Sequence, residues 1–365
     1  MEQSSKNNFN PGKQVGVHNL GNTCYLNSLL QLMYQCTLLN VLLLDNKEIF
    51  KSLPHFNQNE VTNKYIDFLT TYTNTSDNSC NQDNIHKFIF PTYPHREQQD
   101  ASEYLNRLID LLKDIITKIP LYININSKKY DLNKLFHHLF IHTSANTLIC
   151  TKCNTTKSIA NEINTILTLE IPPTSIQQST IKSTTKSTTE STTPTMSLNT
   201  LFDHYEKIEQ FDRSEYSACE SHKCNGANNI DKKQIKIIYT PKYFIISPKR
   251  FQLNFNTGVS QKIHTSIDFP LVLDKCNKKY LLRGFIYHYG EINAGHYVYY
   301  GLKPITNLPS SDKTYRWYIH NDEKTTPIGN AFELSEIEEK TSSNIKTLKN
   351  TAYVYLYVCM PSDTS

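Results

Sequence analysis

Apolar residues recur at helical spacing early in the chain and at strand-like density later. Between Thr23 and Cys36, Leu26, Leu29, Leu30 and Met33 fall three and four residues apart, behind Asn22 and Thr23, which are residue types that cap helix N-termini. The spacing predicts a buried helix with Cys24 at its start. A second helix is predicted from about Gln98 to Ile116, where Ala101, Leu105, Leu108, Leu112 and Ile115 form one stripe, with Pro120 as its stop. Past Leu121 the pattern changes to short strand-like segments. Ile235 to Ile246, Tyr280 to Tyr287, His296 to Tyr300 and Ala352 to Val358 are dense in Ile, Val, Tyr and Phe with turn residues between them, so the last third is expected to be mostly antiparallel β. Between Pro172 and Met196 the chain is Ser/Thr-rich, with Ser-Thr-Thr-x recurring at Ser183, Ser187 and Ser191. Such a composition cannot bury a core and predicts a disordered insert at about 173–197. Helices first and strands later point to an α+β enzyme with a cleft between the two parts.

A chain of 365 residues can bury a large core without disulfides. Its formal net charge of +4, from 38 basic and 34 acidic residues, is near balance, and the lysines are scattered; nucleic acid is not the expected partner. No stretch approaches the roughly 20 apolar residues of a membrane span, the longest candidate being Leu38 to Leu44. Met1 to Pro11 is polar and lacks the apolar core of a signal peptide, which gives an expectation of a cytosolic or nuclear, reducing location. Nine cysteines cannot all pair within one chain. In such a compartment, cysteines with a role are nucleophiles or metal ligands; Cys36, Cys80, Cys276 and Cys359 are assigned to packing.

Cys24 has the position of a nucleophile. A thiol attacks a carbonyl as thiolate, and the unpaired N–H groups and dipole at a helix start favour that negative charge. Acyl transfer also needs donors aimed at the developing oxyanion, and two are near: the Cys24 backbone N–H and the side-chain amide of Asn19. Gly21 between them permits a tight turn. Taken alone, a cysteine at a helix start with an asparagine in a turn is compatible with a purely structural role.

The run Gly16-Val17-His18-Asn19-Leu20-Gly21-Asn22-Thr23-Cys24-Tyr25-Leu26-Asn27-Ser28-Leu29-Leu30-Gln31 resembles the cysteine box of the ubiquitin-specific protease family. Gln98-Gln99-Asp100-Ala101-Ser102-Glu103-Tyr104-Leu105 resembles that family's second helix motif. Gly284 to Tyr300, with His288-Tyr289-Gly290 and Gly295-His296-Tyr297, resembles its histidine box, and Trp317-Tyr318-Ile319-His320-Asn321-Asp322 is similar to the segment supplying the third catalytic residue. The boxes occur in the family's order from about Val15 to Tyr357. The resemblance implies a papain-like cysteine protease fold with a helical thumb, a β-rich palm and extended β fingers, in one catalytic domain over 15–361 flanked by short tails at 1–14 and 362–365. Within it Cys24 would be the nucleophile and His296, one of 13 histidines, the base. The far imidazole nitrogen needs an acceptor. Asn321 aligns with the family's third residue, and Asp322 beside it is the other candidate, acting through water or by polarising the site.

The implied activity is thiol-dependent hydrolysis of the bond after ubiquitin's C-terminal glycine, with ubiquitin and ubiquitinated proteins as partners of a monomer. A catalytically silent ubiquitin-binding module and a protease for another ubiquitin-like modifier are the alternatives. A zinc-dependent hydrolase is disfavoured, since no His-Glu-x-x-His run is present. Asp100 and Glu103, three apart on one helix face, are expected to pair with arginines in ubiquitin's tail, with Gln99, Tyr297 and His288 nearby and Gly295 leaving room for the diglycine end.

Cys150-x-x-Cys153 is half of a four-ligand zinc pattern. Its complement is expected at Cys219 and Cys224, with His222 as a possible substitute for one thiolate. Related chains carry a plain Cys-x-x-Cys there, after a tyrosine that corresponds to Tyr216, whereas Cys219 and Cys224 have four residues between them. Zinc here would be structural. In Ile245-Ile246-Ser247-Pro248-Lys249-Arg250-Phe251 the family's usual leucine is Pro248, which cannot donate to a ladder, so a local bulge without change of fold is expected.

Overall fold

The computed structural model describes residues 9–53, 57–82, 85–92, 97–118, 122–125, 128–173, 195–211, 219–221, 223–224, 230–254, 258–291, 294–305, 315–329 and 351–361. The first predicted helix spans Cys24–Tyr34, and all 11 of its residues are buried. Thr23 occupies the N-cap without capping through its side chain. Its hydroxyl instead accepts from Leu20 N–H at 3.0 Å and donates to Asn19 Oδ1 at 3.2 Å, which folds the preceding loop back on itself.

The second helix, Ala101–Lys118, buries Ala101, Tyr104, Leu105, Leu108, Leu112 and Ile115 along one stripe. Asp100 caps it: Oδ1 accepts from Ser102 N–H at 2.7 Å and from Glu103 N–H at 3.0 Å. Asp100 therefore precedes the helix, where one helical face had been expected to carry both acids. Pro120 lies outside the described residues. A third long helix, Asn57–Asn74, packs Val61, Tyr65, Phe68, Leu69 and Tyr72 into the same core.

Asn57–Asn74 packs against Ala101–Lys118, Ala101–Lys118 packs against the Cys24–Tyr34 helix, and the Cys24–Tyr34 helix rests on one face of a central sheet. Its strands run in the order Lys324–Gly329, Tyr315–Asn321, Ala294–Pro304, Lys278–Glu291, Ala352–Cys359, Tyr243–Pro248 and Ile166–Leu169, with Val272–Lys275 also paired to Lys278–Glu291. Both faces are covered, which is why the strands read as continuous apolar runs. Along Tyr243–Pro248, Tyr243 and Ile245 join the helical core while Phe244 and Ile246 join a second core on the opposite face. Tyr297 and Tyr299 alternate with Val298 and Tyr300 in the same way.

A separate sheet, ordered Ile208–Gln210, Ile230–Tyr239, His142–Cys150 and Thr156–Ser158, with Glu162–Asn164 also on His142–Cys150, forms the finger-like extension. The predicted Ile235 to Ile246 strand is thus two, one in each sheet, separated at Thr240-Pro241-Lys242. The Tyr280 hydroxyl holds that break through Thr240 Oγ1 and Pro241 O, both at 2.8 Å.

Pro248 produces no register shift in either ladder of its strand. Pairing to Ala352–Cys359 simply ends at Ile246, and side chains supply the donors beyond it. Ser247 Oγ donates to Tyr353 O at 3.2 Å, and buried Arg250 donates from Nε to Ala352 O at 2.7 Å and from a terminal nitrogen to Ile263 O and Thr265 O. The expected bulge is replaced by side-chain satisfaction of the carbonyls.

At the predicted insert, Thr195–Ser197 is a strand parallel to Ser266–Asp268, and Ser197 caps the helix Leu198–Tyr205, so order begins before residue 197. Residues 174–194 and 362–365 lie outside the described set. The segment expected as an N-terminal tail is tied down from Phe9 onward. Phe9 packs on Tyr34, Asn10 O accepts from Tyr34 Oη at 2.9 Å, and Lys13 Nζ donates to Thr75 O at 2.7 Å. Among the described residues no single helix is long and apolar enough to cross a membrane.

Candidate active site and sulfur cluster

The helix start and the Ala294–Pro304 strand bring Cys24 and His296 together from positions 272 residues apart (296 − 24). Cys24 is the strongest influence on the His296 ring, whose Nε2 lies 2.7 Å from Asn321 Oδ1. Because the amide oxygen only accepts, Nε2 donates to it, which leaves Nδ1 as the nitrogen for the sulfur. The imidazole is pushed up to about 9, first by its bond to Cys24 and then, against the opposing effect of burial, by Asn321 and the nearby Cys24 and Asp322 charges. These partners favour the protonated ring. Asn321 and not Asp322 is the ring's direct partner.

Asp322 bonds elsewhere. Its Oδ1 accepts from Asn27 Nδ2 at 2.7 Å and its Oδ2 from Asn19 Nδ2 at 2.8 Å, while its backbone oxygen takes Val17 N–H at 2.8 Å. Gly16 lets this turn close, because a Cβ there would lie 2.1 Å from Glu323 O. Asn19, expected as an oxyanion donor, directs one amide hydrogen to Asp322. Its Oδ1 braces the loop by accepting from Gly21 N–H at 2.9 Å and Thr23 N–H at 3.2 Å. Gly21, at φ +99°, adopts a backbone conformation that suits glycine. Behind them, buried Gln82 donates to Asn27 Oδ1 at 2.7 Å and to Thr23 Oγ1 at 3.1 Å.

Asn27, Gln82 and Gln98 were not singled out by sequence reasoning. Asn27 shares its buried helix with Ser28 and Gln31 and so did not stand out, and Gln98 sits inside the quoted second motif. Gln82 left no signal.

The predicted substrate-side residues divide in two. Asp100, Ser102, Glu103, Asn106, Asn164, Ile166, Thr168 and Tyr353 line one groove of about 360 Å³, so Asp100 and Glu103 do share a surface. Asp100 Oδ2 also accepts from the Tyr353 hydroxyl, and burial raises its carboxyl above the usual range. Gln99 is half-buried beside it. Tyr297 and His288, by contrast, are buried beneath the site, 3% and 1% exposed, with ring centroids 4.3 Å apart, and neither forms a face for a partner. His288 is held neutral, pushed down to about 3 by burial and by Lys262, whose Nζ sits 3.0 Å from its Nδ1. Gly295 makes room for this ring: a Cβ there would lie 2.1 Å from His288 Nε2. The missing side chain thus accommodates the protein's own histidine and opens no space on that side for a substrate tail.

In the fingers, the sulfurs of Cys150, Cys153, Cys219 and Cys224 all lie within 4.8 Å of one another. Cys150 and Cys224 are 3.6 Å apart, Cys153 and Cys219 3.7 Å. A tetrahedral ion with metal–sulfur bonds of about 2.3 Å requires sulfur–sulfur edges of about 3.8 Å; the two close pairs match that edge, and the quartet could hold a metal ion. The four intervening residues between Cys219 and Cys224 are accommodated without loss of this geometry. His222 and Tyr216 lie outside the described residues.

An imidazolium on a strand, held by an amide oxygen and facing a cysteine at a helix start across an α+β frame, has the layout of a papain-like cysteine hydrolase. The ubiquitin carboxyl-terminal hydrolase family pattern matches residues 15–357, and the chain belongs to that family. It is 23% identical to Ubiquitin carboxyl-terminal hydrolase 26 of Arabidopsis thaliana over 86% of this chain, and 24% identical to Ubiquitin carboxyl-terminal hydrolase 48 of Danio rerio over 95%. The chain spans only 26% and 30% of those relatives' own lengths. Its fold is similar to a chain of the SAGA Ubp8/Sgf11/Sus1/Sgf73 DUB module bound to ubiquitin aldehyde, with TM-score 0.64 and 20% identity over 97% of this chain and 71% of that one.

Proposed function

We propose that this chain is a thiol-dependent deubiquitinase that cleaves the bond after the C-terminal glycine of ubiquitin. The observation that carries the proposal is the contiguous Cys24, His296 and Asn321 arrangement within a chain of this family. The Cys24 thiolate attacks the glycine carbonyl carbon and forms a carbon–sulfur bond. The oxyanion that develops is met by the Cys24 backbone N–H and by the second amide hydrogen of Asn19, whose orientation Asp322 fixes. As the carbon–nitrogen bond breaks, imidazolium His296 gives its proton to the leaving amine. Water then attacks the thioester while His296 accepts its proton; the carboxyl end of ubiquitin leaves, and the thiolate and imidazolium are restored.

Ubiquitin's basic tail would lie along the groove holding Asp100 and Glu103. The four finger cysteines would hold zinc, which when bound supplies a rigid cross-link between the turn after His142–Cys150 and the segment before Ile230–Tyr239. The test is hydrolysis of a ubiquitin C-terminal amide by the purified chain. Release that is lost in Cys24→Ser supports the proposal, whereas tight ubiquitin binding with no release by the wild-type chain would identify a silent binding module.

A further inference from the structure

Gln98 joins the two halves of the site. It lies three residues before the Ala101–Lys118 helix, on the segment fixed by the Asp100 cap and by the Tyr353 hydroxyl on Asp100. Its Oε1 is 3.0 Å from the Gly295 backbone nitrogen, next to His296, and its Nε2 is 3.9 Å from Cys24 Sγ. The orientation of the amide is forced. A backbone N–H can only donate, so Gly295 takes the oxygen end; reversing the amide would set two donors against each other. The nitrogen end, which can only donate, must then face the sulfur, and a thiolate is an acceptor without a proton of its own.

We propose that Gln98 is a thiolate-supporting positioning residue, which donates from Nε2 to ionised Cys24 while anchoring the histidine strand through Gly295. The proposal rests on the cysteine-hydrolase function above. Its chemical value follows from thiolate reactivity: donation lowers nucleophilicity, but only with a Brønsted slope of about 0.4–0.5. A tenfold gain in thiolate fraction therefore leaves a net gain of about threefold to fourfold. The same amide keeps the nucleophile helix and the base strand in register, because loosening either end releases the other.

The other titratable groups around the sulfur do not duplicate this role. His296 is influenced by Cys24 and by the Asp322 charge, while the Asp322 oxygens are held by Asn27 and Asn19. The phenols of Tyr25 and Tyr297 are pushed up by burial and stay neutral. His288, close to His296, is also neutral.

The pH dependence of Cys24 alkylation by iodoacetamide, followed on the Cys24 peptide by mass spectrometry in the full chain, tests the inference without ubiquitin. Gln98→Glu keeps an acceptor for Gly295 N–H and places a second oxygen against the sulfur. It is expected to raise the reactivity midpoint above that of the wild-type chain. Gln98→Met, which fills similar space without a donor, is expected to raise it by less and serves if the glutamate variant does not fold. A wild-type midpoint unmoved by either folded variant would overturn the role of Gln98 alone. A wild-type midpoint already at the ordinary value would overturn both the ion pair and the part Gln98 has in it.

Discussion

Two cysteine centres in this chain show how surroundings decide what a thiol does. At one, a single sulfur faces an imidazolium and an amide donor, at the meeting point of a helix start, a strand and a turn. At the other, four sulfurs lie within 4.8 Å of one another, a group that could hold a metal ion. The first arrangement stabilises one negative charge and keeps it accessible to an electrophile. The second concentrates four potential charges that only a cation can hold together. They also differ in assembly. The sulfur quartet comes from two short-range sets joined across one sheet, whereas the first centre depends on contacts such as Asn19 to Asp322, 303 positions apart. It requires the whole domain to fold.

The largest expected difference between the centres is chemical. Cys24→Ser should lower hydrolysis of a ubiquitin amide by about 10⁶-fold, toward background, and leave the melting temperature nearly unchanged. Cys150→Ser should do the reverse in kind: zinc measured by elemental analysis should fall from about one ion per chain toward zero and the melting temperature should drop, while Cys24 alkylation keeps its pH midpoint. If chelation left the melting temperature in place, the quartet would be no metal site.

Next comes Asp322→Asn. Asp322 receives two amide N–H groups, and an asparagine offers one acceptor and one donor in its place, so either Asn19 or Asn27 would confront a donor. Because Asn19 is exposed and water can meet the mismatch there, the cost in denaturant unfolding should stay below about 1 kcal/mol, while kcat falls through a misplaced Asn19. Unchanged kcat would disconnect Asp322 from the oxyanion donor.

A smaller effect is expected with pH. His296 is raised in the folded chain from 6.5 to about 9, so its proton stabilises the fold fully below about pH 6.5. That contribution is lost as pH rises through about 9. The melting-temperature gap between the wild-type chain and His296→Ala should therefore shrink from pH 6 to pH 10; a constant gap would show that the imidazole is not paired with a charge.

The smallest effect separates recognition from folding at Asp100. Asn is as good an N-cap as Asp, so Asp100→Asn should leave stability within about 0.5 kcal/mol while raising KM for ubiquitin substrates. Asp100→Arg would remove the cap as well, about 1 kcal/mol, and confound the two roles.

Much of this was legible in the residues. The Cys24 helix, the Ala101 stripe and the apolar strands announced themselves by period, and ordered motifs named Cys24, His296 and Asn321. The Asn57–Asn74 helix escaped because Asn and Thr between its apolar positions blur the stripe. Asn27, Gln82 and Gln98 escaped for a different reason. A neutral amide carries no charge and fits any surface, so its importance exists only once folding sets a donor against a particular acceptor. Burial likewise reassigned His288 and Tyr297, since a sequence can place a ring near the site without saying on which side of the sheet it lies.

The most direct measurement is reaction of the full chain with ubiquitin bearing a C-terminal thiol-reactive group, followed by mapping of the adduct among the nine cysteines. A single adduct at Cys24, absent from Cys24→Ser and slowed in His296→Ala, is predicted. Labelling at any other cysteine, or none with ubiquitin and efficient labelling with another ubiquitin-like probe, would contradict a deubiquitinase built on Cys24 and His296.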